Sequence, residues 1–139
     1  MADPVRLARL LRSIADDLAY LTREADARAA RRADPMWLRG VKYTFVTAIE
    51  GCVDVAQHVC ATSGWGPPHD NGHAMLLLGE HQILPTDLAA RMVLATGFRN
   101  VLVHDYIVVD DRVVTNRLGD LSDLRDFVSV VANEVLPGD

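Results

Sequence analysis

Cysteine is scarce in these 139 residues: there are two, Cys52 and Cys60. On one predicted helix they lie about 12 Å apart along the axis, too far to bridge. They are read as buried thiols in a reducing compartment. No apolar run approaches the roughly eighteen residues that a membrane span needs. The opening stretch, MADPVRLARLLRS, threads arginines through its leucines and lacks the clean apolar segment of a secretory signal. The cytoplasm is therefore the expected compartment, with no membrane partner. There is no internal repeat and no low-complexity tract. What is present is apolar content of 50% with 24% charged residues. That balance excludes a disordered chain and supplies a core for one domain over residues 1–139.

A net charge of −5 argues against a general nucleic-acid coat protein. The charge is uneven, however. Residues 1–42 carry nine basic and six acidic side chains, a balance of +3, and residues 43–139 carry five and thirteen, a balance of −8. A basic N-terminal third can meet phosphate while the remainder stays acidic. The plainer reading is a solvated helix face.

Periodicity makes the chain all-helical. Asp3-Pro4 reads as an N-cap followed by proline at the first helical position. Leu7, Leu11, Ile14, Leu18 and Leu21 then form one apolar face, with Arg6, Arg9 and Arg12 beside it. The Ala, Arg and Asp run from Ala25 to Ala33 either extends this helix or connects it to the next. Asp34-Pro35 repeats the start signal. Val41, Phe45, Ala48, Cys52, Val55 and Val59 form one stripe, and Val46, Ile49, Val53, Ala56 and Cys60 a second, so this helix belongs at the centre of a bundle. Its polar strip is Lys42, Glu50, Asp54, Gln57 and His58. Trp37 and Tyr43 are expected in the core or as a hydrophobic staple.

Residues Ser63–Gly72 are a loop by their turn signals, and a short helix is predicted over His73–His81. Pro85 opens a further helix. Its stripe is Leu88, Met92, Ala95, Arg99, Leu102 and Tyr106, with Val93, Leu94, Phe98 and Val101 alongside. Ile107–Thr115 suits either a hairpin or a helix capped by Asp110 or Asp111. Leu121, Leu124, Val128, Val131 and Val135 give a last helix, which Gly119 should break or kink. The expected architecture is an antiparallel four-helix bundle with an extra short helix.

Chemistry concentrates in Phe98-Arg99-Asn100-Val101-Leu102-Val103-His104-Asp105-Tyr106. Arg99 and Tyr106 fall about 20° apart on a helical wheel. Asn100 and His104 form a second polar line, about 100–140° round from Arg99. On a straight helix Arg99 and His104 do not converge on one phosphate. They do so if the helix end bends, or if two copies meet across a two-fold axis. His104 suits general acid–base work near neutral pH, and Arg99 offers a permanent cation whose fork of donors matches phosphate oxygens. Asn100 can orient the imidazole or hold a phosphate. With a ribose 2′-hydroxyl as nucleophile, no metal is needed. The plainer reading of the pair is a surface ion pair or a capped helix end.

These residues resemble the HepT toxins of the HEPN superfamily, whose signature Arg-x4-His-x-Tyr reads here as Arg99, His104 and Tyr106. Lys42-Tyr43, Ala48-Ile49-Glu50, Cys52-Val53-Asp54-Val55-Ala56, the region of Pro67-Pro68, Gly97-Phe98-Arg99-Asn100 and the Asp110-Asp111 turn share in the likeness, which covers roughly residues 35–130. The resemblance implies an all-α HEPN-like bundle that acts as a homodimer. It implies a metal-independent endoribonuclease whose site is shared between two copies and whose substrate is mRNA or tRNA. Arg99, His104 and Asn100 are then catalytic and no cofactor is needed. The implied partner is an MntA-like minimal nucleotidyltransferase antitoxin that transfers AMP onto Tyr106. Bulk and negative charge beside Arg99 would exclude RNA. The resemblance also favours helix over hairpin after Tyr106. The alternative from another class is a catalytically silent helical bundle that serves as a binding subunit for a nucleotidyltransferase.

Other candidates carry weaker signals. Glu50, Asp54 and His58 share one helix face, where Glu50 and Asp54 could border the cleft. A metal there lacks a second ligand helix. His69, Asp70 and His73 have zinc-like spacing but sit in a Pro- and Gly-rich loop. Trp65 either stacks on a base or covers the open end of the bundle.

Overall fold

The computed structural model describes residues 2–104 and 109–136. Seven helices run through them: α1 (Pro4–Glu24), α2 (Ala29–Arg32), α3 (Pro35–Ser63), α4 (Asn71–Glu80), α5 (Thr86–Val103), α6 (Asp111–Leu118) and α7 (Ser122–Val135). The four long ones, α1, α3, α5 and α7, are the bundle, and α4 is the predicted short helix with its start shifted two residues earlier. Two further short helices occupy stretches left open by periodicity. α2 is a single turn inside the Ala/Arg connector, and α6 makes the ambiguous segment after the motif helical from Asp111 to Thr115, with residues 107 and 108 outside the described part. Gly119 breaks the chain between α6 and α7 instead of kinking one helix.

The helix starts follow from local chemistry. Asp3 accepts from the N–H groups of Val5 and Arg6, Asp34 from Met36, Asp70 from His73 and Asp110 from Arg112. Each carboxylate satisfies a donor that the first turn cannot pair, and favours the positive end of the helix dipole. A cap of this kind contributes about 1 kcal/mol. Pro4 and Pro35 occupy positions where no N–H is required.

α1 and α3 pack antiparallel. Asp3 meets His58, Ile14 lies against Gly51, Asp17 accepts from the Thr47 hydroxyl, and Glu24 accepts from the Trp37 indole. One residue number rises along this seam as the other falls. At Gly51 the approach is so close that an added Cβ would lie 2.7 Å from Ile14 Cγ1. α4 and α5 close similarly, with Gly79 against Ala89. Leu7, Phe45, Met75, Met92, Leu124 and Phe127 bring α1, α3, α4, α5 and α7 into one buried cluster. Cys52 and Cys60 lie in that cluster as free thiols. Burial raises both thiol pKa values, which suits packing rather than nucleophilic chemistry.

Tyr43 departs from expectation. Trp37 is buried, but Tyr43 is 70% exposed. Residue 43 lies nearly opposite Val41, Phe45 and Cys52 on the α3 wheel, so their burial turns its ring outward. Among the described residues no helix is long and apolar enough to cross a membrane.

Candidate active site at the end of α5

The orientation of α5 is set one residue before the motif. The ring of Phe98 packs edge-on to Phe45 of α3, with centroids 5.4 Å apart. The Arg117 guanidinium of α6 lies over both rings, 5.6 Å from Phe98 and 5.9 Å from Phe45. Arg117 is held in turn by Asp123 at 2.9 Å and by the Asp120 carbonyl. This clamp joins four helices, α3, α5, α6 and α7, and fixes the side of α5 from which Arg99 emerges.

Arg99 projects toward α3. Its Nη2 and Nε donate to the same oxygen of Glu50, at 2.7 and 3.2 Å, and its Nη1 donates to Asn100 Oδ1 at 3.0 Å. The Arg99 side chain is 24% exposed and that of Glu50 44%. A pair this solvated contributes roughly 0–1 kcal/mol to stability, so its importance is positional. The arginine stem spans the wheel gap between residues 99 and 100, and two of the three expected residues meet directly.

His104 is the first residue beyond α5. Its backbone N–H donates to the Asn100 carbonyl at 3.3 Å, and its ψ of 89° takes the chain out of the helix. The helix ends within the motif, at Val103. The His104 side chain is exposed. Tyr106, the expected modification site, lies outside the described residues. Asp54 is exposed on α3, one turn beyond Glu50. The carboxylate that grips Arg99 is therefore Glu50, which the sequence offered only as one of two acids bordering a cleft.

Asn100 also lines a groove of 410 Å³ with Asp70, Asn71, Gly72, Thr96 and Gly97, between the start of α4 and the end of α5. On the outer side of α5, Ala90, Leu94, Gly97 and Val101 form a solvent-facing stripe that leads to His104. Leu94 is 75% and Val101 37% exposed. The sequence placed Leu94 and Val101 alongside the core stripe, whereas Leu88, Ala89, Met92, Ala95 and Thr96 take the buried face.

The other candidates settle into structural contacts. His73 Nδ1 accepts from the His69 N–H, and the two imidazoles stack. Asp70 caps α4. Trp65 stacks on His81 at 3.8 Å and packs against the core edge. His58 Nε2 accepts from the Asp3 N–H. Among the described residues no three His, Cys, Asp or Glu side chains are grouped to hold a metal ion.

Comparison with known proteins supplies what geometry alone does not. The profile of the family described as Ribonuclease HepT-like matches residues 11–131. An mRNA nuclease HepT from Shewanella oneidensis is 29% identical over 86 residues, 61% of this chain and 65% of that protein. A tRNA nuclease HepT from Aphanizomenon flos-aquae is 32% identical over 65 residues, 47% of this chain and 44% of its own length. The match thus spans less than two thirds of either relative. A putative RNase from Archaeoglobus fulgidus is 27% identical over 109 residues, 78% of this chain and 82% of that one. Among solved structures, the tri-AMPylated Shewanella oneidensis HEPN toxin in complex with MNT antitoxin superposes with a TM-score of 0.86. It is 20% identical, with 96% of this chain and all of that one covered. A toxin–antitoxin structure with AMP-PNP gives 0.84 at 19% identity, covering 92% and 98%. At such identities these two establish the shared all-helical fold.

Proposed function

The chain belongs to the HepT-like ribonuclease family, and from that premise we propose that it is a toxin acting as a metal-independent endoribonuclease, dimeric and cytoplasmic, with the α5 end as its active site. The observation that carries the reading is the junction of Arg99, Asn100 and exposed His104 where an apolar stripe on α5 meets solvent. A second copy laid on that stripe would bury Leu94 and Val101. The same two-fold would bring two Arg/Asn/His sets into one cleft.

The chemistry follows from those groups. One imidazole takes the proton of a ribose 2′-hydroxyl as its oxygen attacks phosphorus. The bond from phosphorus to the 5′-oxygen breaks, and the second imidazole, protonated, gives a proton to that leaving oxygen. The products are a 2′,3′-cyclic phosphate and a 5′-hydroxyl. Arg99 stabilises the charge gathering on the non-bridging oxygens. Its Nη1, which donates to Asn100, turns to the phosphate while Glu50 keeps Nη2 and Nε in place. Asn100, released from Arg99, can hold the scissile phosphate or the imidazole.

Regulation completes the proposal. A MntA-like nucleotidyltransferase antitoxin transfers AMP onto Tyr106, two residues past His104, and the added phosphates repel RNA from Arg99. The tri-AMPylated state of the Shewanella oneidensis HEPN toxin in its complex with MNT antitoxin supports this reading.

The test is incubation of purified, unmodified protein with total RNA and with an mRNA and a tRNA transcript, wild type beside His104→Ala. Cleavage by the wild type alone, leaving cyclic phosphate ends, is expected. Equal cleavage by both, or none by either, would favour a silent binding subunit. Intact mass after co-expression with the nucleotidyltransferase should show AMP increments that Tyr106→Phe removes.

A further inference from the structure

The α3 face that carries Glu50 continues past it toward the helix start. Arg39, Tyr43, Val46 and Glu50 recur at intervals of four, three and four, so they share one line, exposed at Arg39 and Tyr43 and half-buried at Val46 and Glu50. Lys42 borders that line. At 1.5 Å per residue, Tyr43 lies about 10 Å and Arg39 about 16 Å along the axis from the Glu50 position that holds Arg99.

Tyr43 is unusual on this line. Its ring is 70% exposed, and among the described residues it stacks on no other ring and its hydroxyl makes no hydrogen bond. A large aromatic is seldom left with so much of its area in water and no polar partner. Arg39, one turn earlier, is exposed and makes no ion pair among the described residues. Lys42 holds Asp111 at 3.3 Å through a solvated contact that costs little to exchange. Apart from Asp111 at Lys42, the acids of this face, Glu50 and Asp54, lie at or beyond the Arg99 position. The line is therefore basic and aromatic toward the start of α3 and acidic in the other direction.

We infer that the α3 face from Arg39 to Glu50 is a track for single-stranded RNA flanking the scissile phosphate, with Tyr43 as the platform on which a base stacks and Arg39 and Lys42 as phosphate contacts. The inference rests on the nuclease reading and adds a direction to it: the strand leaves the Arg99 site toward the start of α3. A flat aromatic accepts any base, and flanking cations follow the backbone, so the track gives grip with little sequence preference. It also supplies positive field to a chain whose net charge is −5.

The experiment measures binding of a fluorescein-labelled single-stranded RNA to His104→Ala protein, which leaves the RNA intact, by anisotropy across a salt series. In that background, Tyr43→Ala should weaken binding about tenfold, and Tyr43→Trp should restore it. Arg39→Ala should weaken binding to all sequences alike and lower the salt slope by about one. Both side chains are exposed, so thermal melting should be unchanged. Unaltered RNA affinity in Tyr43→Ala and Arg39→Ala would overturn the track. Wild-type cleavage that is still lost in His104→Ala would then leave the nuclease reading standing. A parent protein that neither binds nor cleaves RNA would remove both. If the two variants keep RNA but lose the nucleotidyltransferase in co-purification, the face is a protein-docking surface and the track is wrong.

Discussion

α1 and α5 are both helices with leucines on them, yet they end up in opposite situations. In α1 every member of the apolar stripe, from Leu7 to Leu21, is buried, and the outward face carries Arg6, Arg9 and Arg12. α5 buries Leu88, Met92 and Ala95 on one side and leaves Leu94 and Val101 in water on the other. α1 is satisfied by its own chain. α5 has a second apolar face that no described residue covers, and that face leads to Asn100 and His104. An apolar residue in a pattern says that water is unwelcome there, and does not say whether the same molecule or another copy excludes it.

The largest expected effect lies at the α5 end. Arg99→Ala should lower RNA cleavage about 10²–10³-fold, because charge on the phosphate loses its stabilising donors. Melting should hardly move, and the fall should appear in single-turnover rates. A rate within a factor of about three of wild type, below one RT ln 10, would exclude Arg99 from the chemistry.

Next comes the packing contrast. Leu11→Ala should cost about 2–5 kcal/mol in denaturant unfolding, since it opens a cavity under α1. Leu94→Ala should cost well under that in dilute protein, where the α5 stripe is solvated. Comparable losses in both would mean that α5 is covered as fully as α1.

Gly51→Ala sharpens the account of the inner seam. The added Cβ would meet Ile14 Cγ1, near the stem of the side chain, so α1 and α3 must separate or Ile14 must leave its rotamer. About 1–3 kcal/mol of destabilisation is expected by the same unfolding assay, with cleavage per folded molecule retained.

The smallest effect is a pH dependence on α1. Burial raises the Asp17 carboxyl above its ordinary range, against the lowering effect of the Thr47 hydroxyl. The folded protein therefore holds this proton more tightly than the unfolded chain does, and Asp17 costs stability as pH rises through that interval. Asp17→Asn keeps an acceptor for Thr47 without the charge. It should melt slightly higher at neutral pH and lose that advantage in acid below the ordinary carboxylate range. A lower melting temperature at neutral pH would contradict the sign.

Much of the fold was legible because its signals are local. Asp3-Pro4 and Asp34-Pro35 start helices through contacts within a single turn, and the α1 stripe needs only its own spacing. Gly119 left breaking or kinking open, and the structure chose the break. The site was half legible. Arg99, Asn100 and His104 stand out as polar letters in an apolar helix, and the Arg99–Asn100 contact is local. Glu50 as the partner of Arg99 depends on how α3 and α5 are rotated, which the Phe45, Phe98 and Arg117 contacts decide across long sequence separations. Tyr43 was legible and misread, because the stripe through Val41 and Phe45 already turned position 43 outward. The solvent side of Leu94 and Val101 was hidden, because α5 is apolar on both sides and its letters do not name the partner.

The central claim is that the active cleft is made by two copies of the α5 end. It is tested most directly by sedimentation equilibrium and RNA cleavage on the same samples of wild type and Leu94→Asp, a change that leaves Arg99 and His104 in place. The account predicts a wild type at twice the chain mass of 15.3 kDa that cleaves, and a folded variant at the single mass that does not. A wild type that cleaves RNA at the single mass would contradict it.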